Sequence, residues 1–205
     1  MTRLLVCVVA LVLTACTHAE GTGKQQPQQK PAVQQPPNEA RALSTTGAQA
    51  LAEFNDRVTK YAELHRRLEA TLPKLPKETD PTTIDTHERA LEKLITTERR
   101  NAKPGDILTA ATRSHFRELL RRVFAGKEGA ALKGTVMDEN PGKIALTINS
   151  RYPDDVPLST VPPQVLSSLP KLPTELEYRF IGDRLILLDV HSHTIADYMD
   201  NAIPS

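Results

Sequence analysis

The chain has no tryptophan, four phenylalanines, four tyrosines and two cysteines among 205 residues. With so few rings, its core must be filled by Leu, Ile, Val and Ala. Twenty-six basic residues stand against 25 acidic ones. This near-neutral balance argues against general nucleic-acid binding, which rests on clustered positive charge. No G-x-S-x-G, glycine-rich phosphate loop or H-E-x-x-H occurs, so no catalytic residue and no cofactor are assigned.

What is present begins at the amino terminus. One charge, Arg3, precedes the apolar run from Leu4 to Leu13, and small residues follow, the layout of a secretory signal. A run this short does not span a bilayer, which needs about 20 residues. It ends in Leu13-Thr14-Ala15-Cys16, which resembles the lipobox of bacterial lipoproteins. The resemblance implies cleavage before Cys16 and acylation of Cys16 with palmitate-type chains. Each buried methylene contributes about 0.8 kcal/mol, so a diacylated cysteine holds a protein on a membrane. Thr17 stands where an aspartate would signal inner-membrane retention, so the expectation is the outer membrane, facing the periplasm. An ordinary cleaved signal would instead leave a soluble periplasmic protein. Cys7 leaves with the signal, residues 1–15, so the mature chain has no pair for a disulfide. Loss of Arg3 brings the 26 bases to 25, level with the 25 acids.

Residues 16–43 are rich in Gln, Pro, Ala, Gly and Lys, as in Gln25-Gln26-Pro27-Gln28-Gln29 and Gln34-Gln35-Pro36-Pro37. Such a stretch buries too little to fold. It reads as a disordered tether reaching roughly 30 Å as a coil and about 80 Å extended. Ordered sequence is expected from Ser44, with a helical region to residue 127 and an α+β region over 128–205, together one domain. Leu51, Phe54, Val58, Tyr61, Leu64 or His65, Leu68 and Leu72 recur every three or four residues, the face of a helix stopped by Pro73. A second helix is expected from Thr82 to Arg100. A third is expected from Asp106, its cap, to Ala125.

The period then falls to 2. Thr135 to Asp138 and Lys143 to Arg151 read as a hairpin around Glu139-Asn140-Pro141-Gly142. A proline-punctuated crossover follows, with one helical turn from Pro163 to Ser168. Glu177 to Ile181 and Arg184 to Leu188 flank Gly182-Asp183 and read as a second hairpin, with Phe180 opposite Leu185 and Tyr178 opposite Leu187. Ile195, Tyr198, Met199 and Ala202 lie at i, i+3, i+4 and i+7, so a C-terminal helix is expected from Thr194. The fold class is therefore α+β: N-terminal helices, a small antiparallel sheet of two hairpins, and a C-terminal helix.

Asp189-Val190-His191-Ser192-His193 resembles the first metal-binding strand of amidohydrolases. Two imidazoles spaced two apart can share a metal, but the further ligands that family takes from later strands have no counterpart in the residues that follow. A strand-to-helix junction capped by Ser192 is the preferred reading, and no metal ligand is assigned. Arg113, Arg117, Arg121, Arg122 and Lys127 form a basic stripe, read as a solvated face.

The stretches Asn149 to Pro153, Pro157 to Pro163, Leu169 to Pro173, Leu176 to Gly182 and Leu187 to Asp189 are similar to a group of bacterial envelope proteins without assigned activity. That resemblance implies a shared fold and carries no catalytic residue. The expected role is a non-catalytic binding or adaptor module, held at the membrane through lipidated Cys16 and meeting an envelope protein partner. Two alternatives stand beside it: a metal-binding protein or metal-dependent hydrolase using His191 and His193, and a carrier of apolar ligands.

Overall fold

The longest apolar periodicity becomes the longest helix. In the computed structural model, which describes residues 39–138 and 144–204, α1 spans Glu39–Glu69. Phe54, Val58, Tyr61, His65 and Leu68 are buried along its length. It starts before the expected boundary at Ser44, because Glu39-Ala40-Arg41-Ala42-Leu43 are good helix formers. Cys16, the signal and the rest of the tether lie outside the described residues.

α2 (Pro81–Glu98) opens on Asp80, whose carboxylate accepts from the Thr83 amide at 3.0 Å and the Thr83 hydroxyl at 2.6 Å. Those bonds hold the Asp80 carboxyl below its ordinary range. Pro81 occupies the first turn, where no amide is missed. Leu91 and Ile95 then pack on Leu68 of α1. α3 (Ala110–Val123) begins later than expected. Thr109 is its cap, while Asp106 accepts from the Lys103 amide and closes the preceding turn.

The expected first hairpin does not form among the described residues. Its first strand is the end of α4 (Gly126–Asp138), a helix with glycines at 129 and 134 that lower its intrinsic propensity by about 1 kcal/mol each. Burial of Val136, with Leu132 beside it, in the main core offsets that cost. The expected second strand does not form either: residues 144–150 are irregular, with a turn at Asn149, which takes a left-handed φ of 63°. Beyond that turn one isolated antiparallel bridge joins Arg151 to Thr194. The crossover holds its expected helical turn as α5 (Pro163–Ser168).

β1 (Leu176–Ile181) and β2 (Arg184–Asp189) pair in the expected register, with Phe180 opposite Leu185 and Tyr178 opposite Leu187. In the turn Gly182 alone has positive φ, at 61°, the arrangement that puts glycine first. The expected C-terminal helix is a strand, β3 (Ile195–Met199), giving a sheet of order β1-β2-β3. A bulge explains the misleading spacing. Leu187 faces Asp197 and Leu188 faces Ile195, so Ala196 is an extra residue. Ile195 and Tyr198, three apart, thereby reach the same face, as do Ala196 and Met199 on the other. The i, i+3 pattern of a helix is here the signature of a bulged strand.

Both faces of the sheet are covered. Phe180, Leu185 and Leu187 meet Phe54 of α1 and Phe116 and Leu120 of α3 in one cluster. Ile181, Ile186, Leu188 and Ile195 pack beneath Tyr152, Ile144 and Leu146 in another. Ser159 hydrogen-bonds the backbone of Phe180 and so closes the outer edge of β1. Asp197, fully buried on β3, accepts the amides of Gly105, Ile107 and Leu108 at 2.7–2.9 Å and fastens the α2–α3 connection to the sheet.

The two α4 glycines separate packing from propensity. A Cβ at Gly129 would run into the Phe124 carbonyl group, whereas nothing lies within 4 Å of one at Gly134. Gly129→Ala is expected to lower stability by about 1–3 kcal/mol, and Gly134→Ala to raise it by up to about 1 kcal/mol. Urea denaturation of the two variants measures both.

Candidate functional site

The site grows from a histidine on the buried face of a helix. At position 65 the periodicity of α1 turns an imidazole inward, where its side chain is 0% exposed and meets the end of β2. There His65 Nδ1 donates to Asp189 Oδ2 at 2.6 Å. The Tyr61 hydroxyl, one turn earlier on α1, donates to the same oxygen at 2.8 Å. The other oxygen, Oδ1, accepts the amides of His191 at 3.1 Å and Ser192 at 2.9 Å. One fully buried carboxylate thus closes the β2–β3 turn and orients a helix side chain.

The electrostatics follow from that arrangement. Burial pushes the Asp189 carboxyl upward, but the hydrogen bond and charge of His65, with the amide and hydroxyl donors, hold it below its ordinary value. Burial likewise disfavours a charged His65. The hydrogen bond and charge of Asp189, joined by the charges of Glu69 and Glu175, outweigh that and raise its pKa. Tyr61 is raised well above the usual phenol range, by burial first and by the Asp189 charge second.

With Nδ1 committed to Asp189, His65 presents Nε2 toward the rim. His191 Nδ1 lies 3.1 Å from it, the rings meeting edge to face with centroids 4.9 Å apart. Glu69, four residues along the same face of α1, places Oε2 3.4 Å from His65 Nε2 and Oε1 3.0 Å from His191 Nδ1. The His191 side chain is 46% exposed and that of Glu69 31%, so the group opens to solvent on one side. Arg66 reaches Glu175 Oε1 at 2.7 Å just behind it, while Glu175 Oε2 is buried without a hydrogen-bond partner.

The three residues of the sequence motif therefore part company. Asp189 is a support, His191 joins α1, and His193, with a φ of 55°, turns toward α2 with Nδ1 3.9 Å from Glu88. Ser192 caps no helix, because none follows; its hydroxyl and that of Thr194 hydrogen-bond each other at 2.8 Å. His65 and Glu69 were not singled out in the sequence. The signal was a histidine at a core position of an amphipathic helix with a glutamate one turn later.

The other sequence candidates are placed elsewhere. Arg121 and Arg122 pair with Glu118, and Arg117 donates to the Asp200 carbonyl, so these members of the stripe serve local contacts. Between the helices and the sheet, Phe54 meets Phe116 and Phe116 meets Tyr178 edge to face, at 5.0 and 6.3 Å. Those rings belong to the packed core. A groove of about 600 Å³ beside Leu51, His115 and Leu172 has no lining residue in common with the histidine cluster. No helix among the described residues is long and apolar enough to cross a membrane. Comparison with protein families, curated proteins and solved structures gives no match.

The supporting carboxylate sets a clear order of effects. Asp189→Ala strands the His65 and Tyr61 donors and two turn amides, and is expected to cost about 3–5 kcal/mol. Tyr61→Phe removes one hydrogen bond and should cost about 1 kcal/mol. Denaturant midpoints rank the two, and equal losses would deny Asp189 its central place.

Proposed function

We propose that this chain is a lipid-anchored protein of the bacterial cell envelope whose folded part is a non-catalytic binding module. Its binding end is the open rim formed by His65, Glu69 and His191. The observation that supports this reading is the use of a fully buried Asp189 to aim His65 at a solvent-facing imidazole and carboxylate. A buried carboxylate is costly unless it is fully hydrogen-bonded. Here that cost is met where α1 and the β2–β3 turn present their side chains together. The hydroxyls of the turn bond each other and are not activated by an imidazole, which favours binding over acyl transfer.

The anchor half of the reading rests on Leu13-Thr14-Ala15-Cys16. Cys16→Ala is expected to abolish labelling by a palmitate analogue and to move the protein from the membrane to the soluble fraction. An unchanged membrane fraction would defeat the anchor.

The binding half is tested in intact cells with a photo-crosslinking residue at Ala70, which is exposed beside Glu69, and at exposed Glu128 on α4 as control. A discrete adduct to an envelope component from position 70, absent from 128, is expected. The same adducts from both positions, or none from 70, would overturn it.

A further inference from the structure

The rim has the donor set of a metal centre. Two imidazole nitrogens and one carboxylate, His65 Nε2, His191 Nδ1 and a Glu69 oxygen, all lie within 4.8 Å of one another. Bonds of about 2.0–2.1 Å at tetrahedral angles put neighbouring donors about 3.3 Å apart. The two imidazole nitrogens stand 3.1 Å apart, and the Glu69 carboxylate meets His191 Nδ1 through Oε1 at 3.0 Å and His65 Nε2 through Oε2 at 3.4 Å. The imidazoles are thus spaced to share one ion, with a carboxylate beside both.

Three further observations point the same way. His65 is oriented by a carboxylate on its other nitrogen, the arrangement that fixes a ligating imidazole and raises its basicity. His65 and Glu69 share one face of a single helix, while His191 comes from a turn fixed by the same Asp189, so ordering the site needs no rearrangement of distant segments. Finally, the surroundings are acidic. Asp189, Glu69 and Glu175 place three carboxylates about His65, and Arg66 pairs with Glu175 alone of the three. Glu175 Oε2 is buried with no hydrogen-bond partner. A cation held at the rim would sit among these carboxylates.

We infer that His65, Glu69 and His191 bind one divalent transition-metal ion of the zinc class, with Asp189 as the residue that positions His65. The inference rests on the binding reading above and names the ligand of that same rim. Two imidazoles and one carboxylate suit Zn²⁺, Co²⁺ and Ni²⁺ and are a poor set for Mg²⁺ or Ca²⁺, which take oxygen ligands. Three protein donors leave a fourth position on the exposed side of His191, open to water or to a side chain from a partner. His193 is not a ligand.

The test is titration of the detergent-solubilised full chain with Zn²⁺ by calorimetry, and with Co²⁺ by visible absorption. Glu69→Gln and His191→Ala alter exposed or half-exposed residues, so their folding is checked by denaturation and the comparison stands. One ion per chain is expected, with affinity about tenfold or more weaker in each variant and unchanged in His193→Ala. Co²⁺ should give the absorption of a four-coordinate site, and Mg²⁺ and Ca²⁺ no heat. Absent zinc binding, binding that survives both rim variants, or binding lost equally in His193→Ala would overturn the metal centre. If the Ala70 adduct persists in a chain that takes up no metal, the metal fails and the binding module stands. If metal binds and no adduct forms, the partner fails and the centre stands.

Discussion

The hydrogen bond between His65 and Asp189 is the contact on which the working end of the molecule depends. It crosses the boundary between the helical half of the sequence and the sheet, linking residues 124 positions apart at 2.6 Å with both side chains fully buried. An isolated carboxylate in that place would cost several kcal/mol. Asp189 avoids the penalty because Oδ1 takes two amides of its own turn and Oδ2 takes two side chains of α1. The turn is thereby fixed by the helix, and the helix by the turn. Asp197 repeats the device on the neighbouring strand, with the donors being backbone amides between α2 and α3. The sheet supplies buried acids and the helical half supplies donors, so the two parts of an α+β chain are joined by directed bonds as well as by apolar packing.

How much of this was legible depends on whether the decisive partner was local. The β1–β2 hairpin could be read to the residue, because Gly182-Asp183 and the alternation around it carry register within a dozen positions. The apolar face of α1 was equally plain, since its repeat runs over several turns. β3 was misread because its periodicity is altered by the extra residue Ala196, whose place is set by pairing with β2 and by no feature of residues 195–199. α4 was missed for the opposite reason: Gly129 and Gly134 argue against a helix locally, and burial of Val136 in a distant core decides the matter.

The site divides along the same line. Asp189, His191 and His193 drew attention as neighbours in sequence, yet strand and turn geometry send the two histidines to different helices, α1 and α2. The residues that complete the rim, His65 and Glu69, sit on α1 at a spacing any surface helix might use for an ion pair. Only burial distinguishes them. A histidine with no exposure on a helix that otherwise buries apolar side chains needs partners for both nitrogens, and that requirement leads first to Asp189 and then to the rim.

The position of the rim along α1 follows from the length of that helix. From Glu39, where the helix begins, to His65 the axis advances about 39 Å at roughly 1.5 Å per residue. His65 and Glu69 therefore stand in its last two turns, where the unpaired carbonyls of a helix carry partial negative charge. The carboxylates of Asp189 and Glu69 lie at that same end of α1, so helix and side chains favour positive charge at one place.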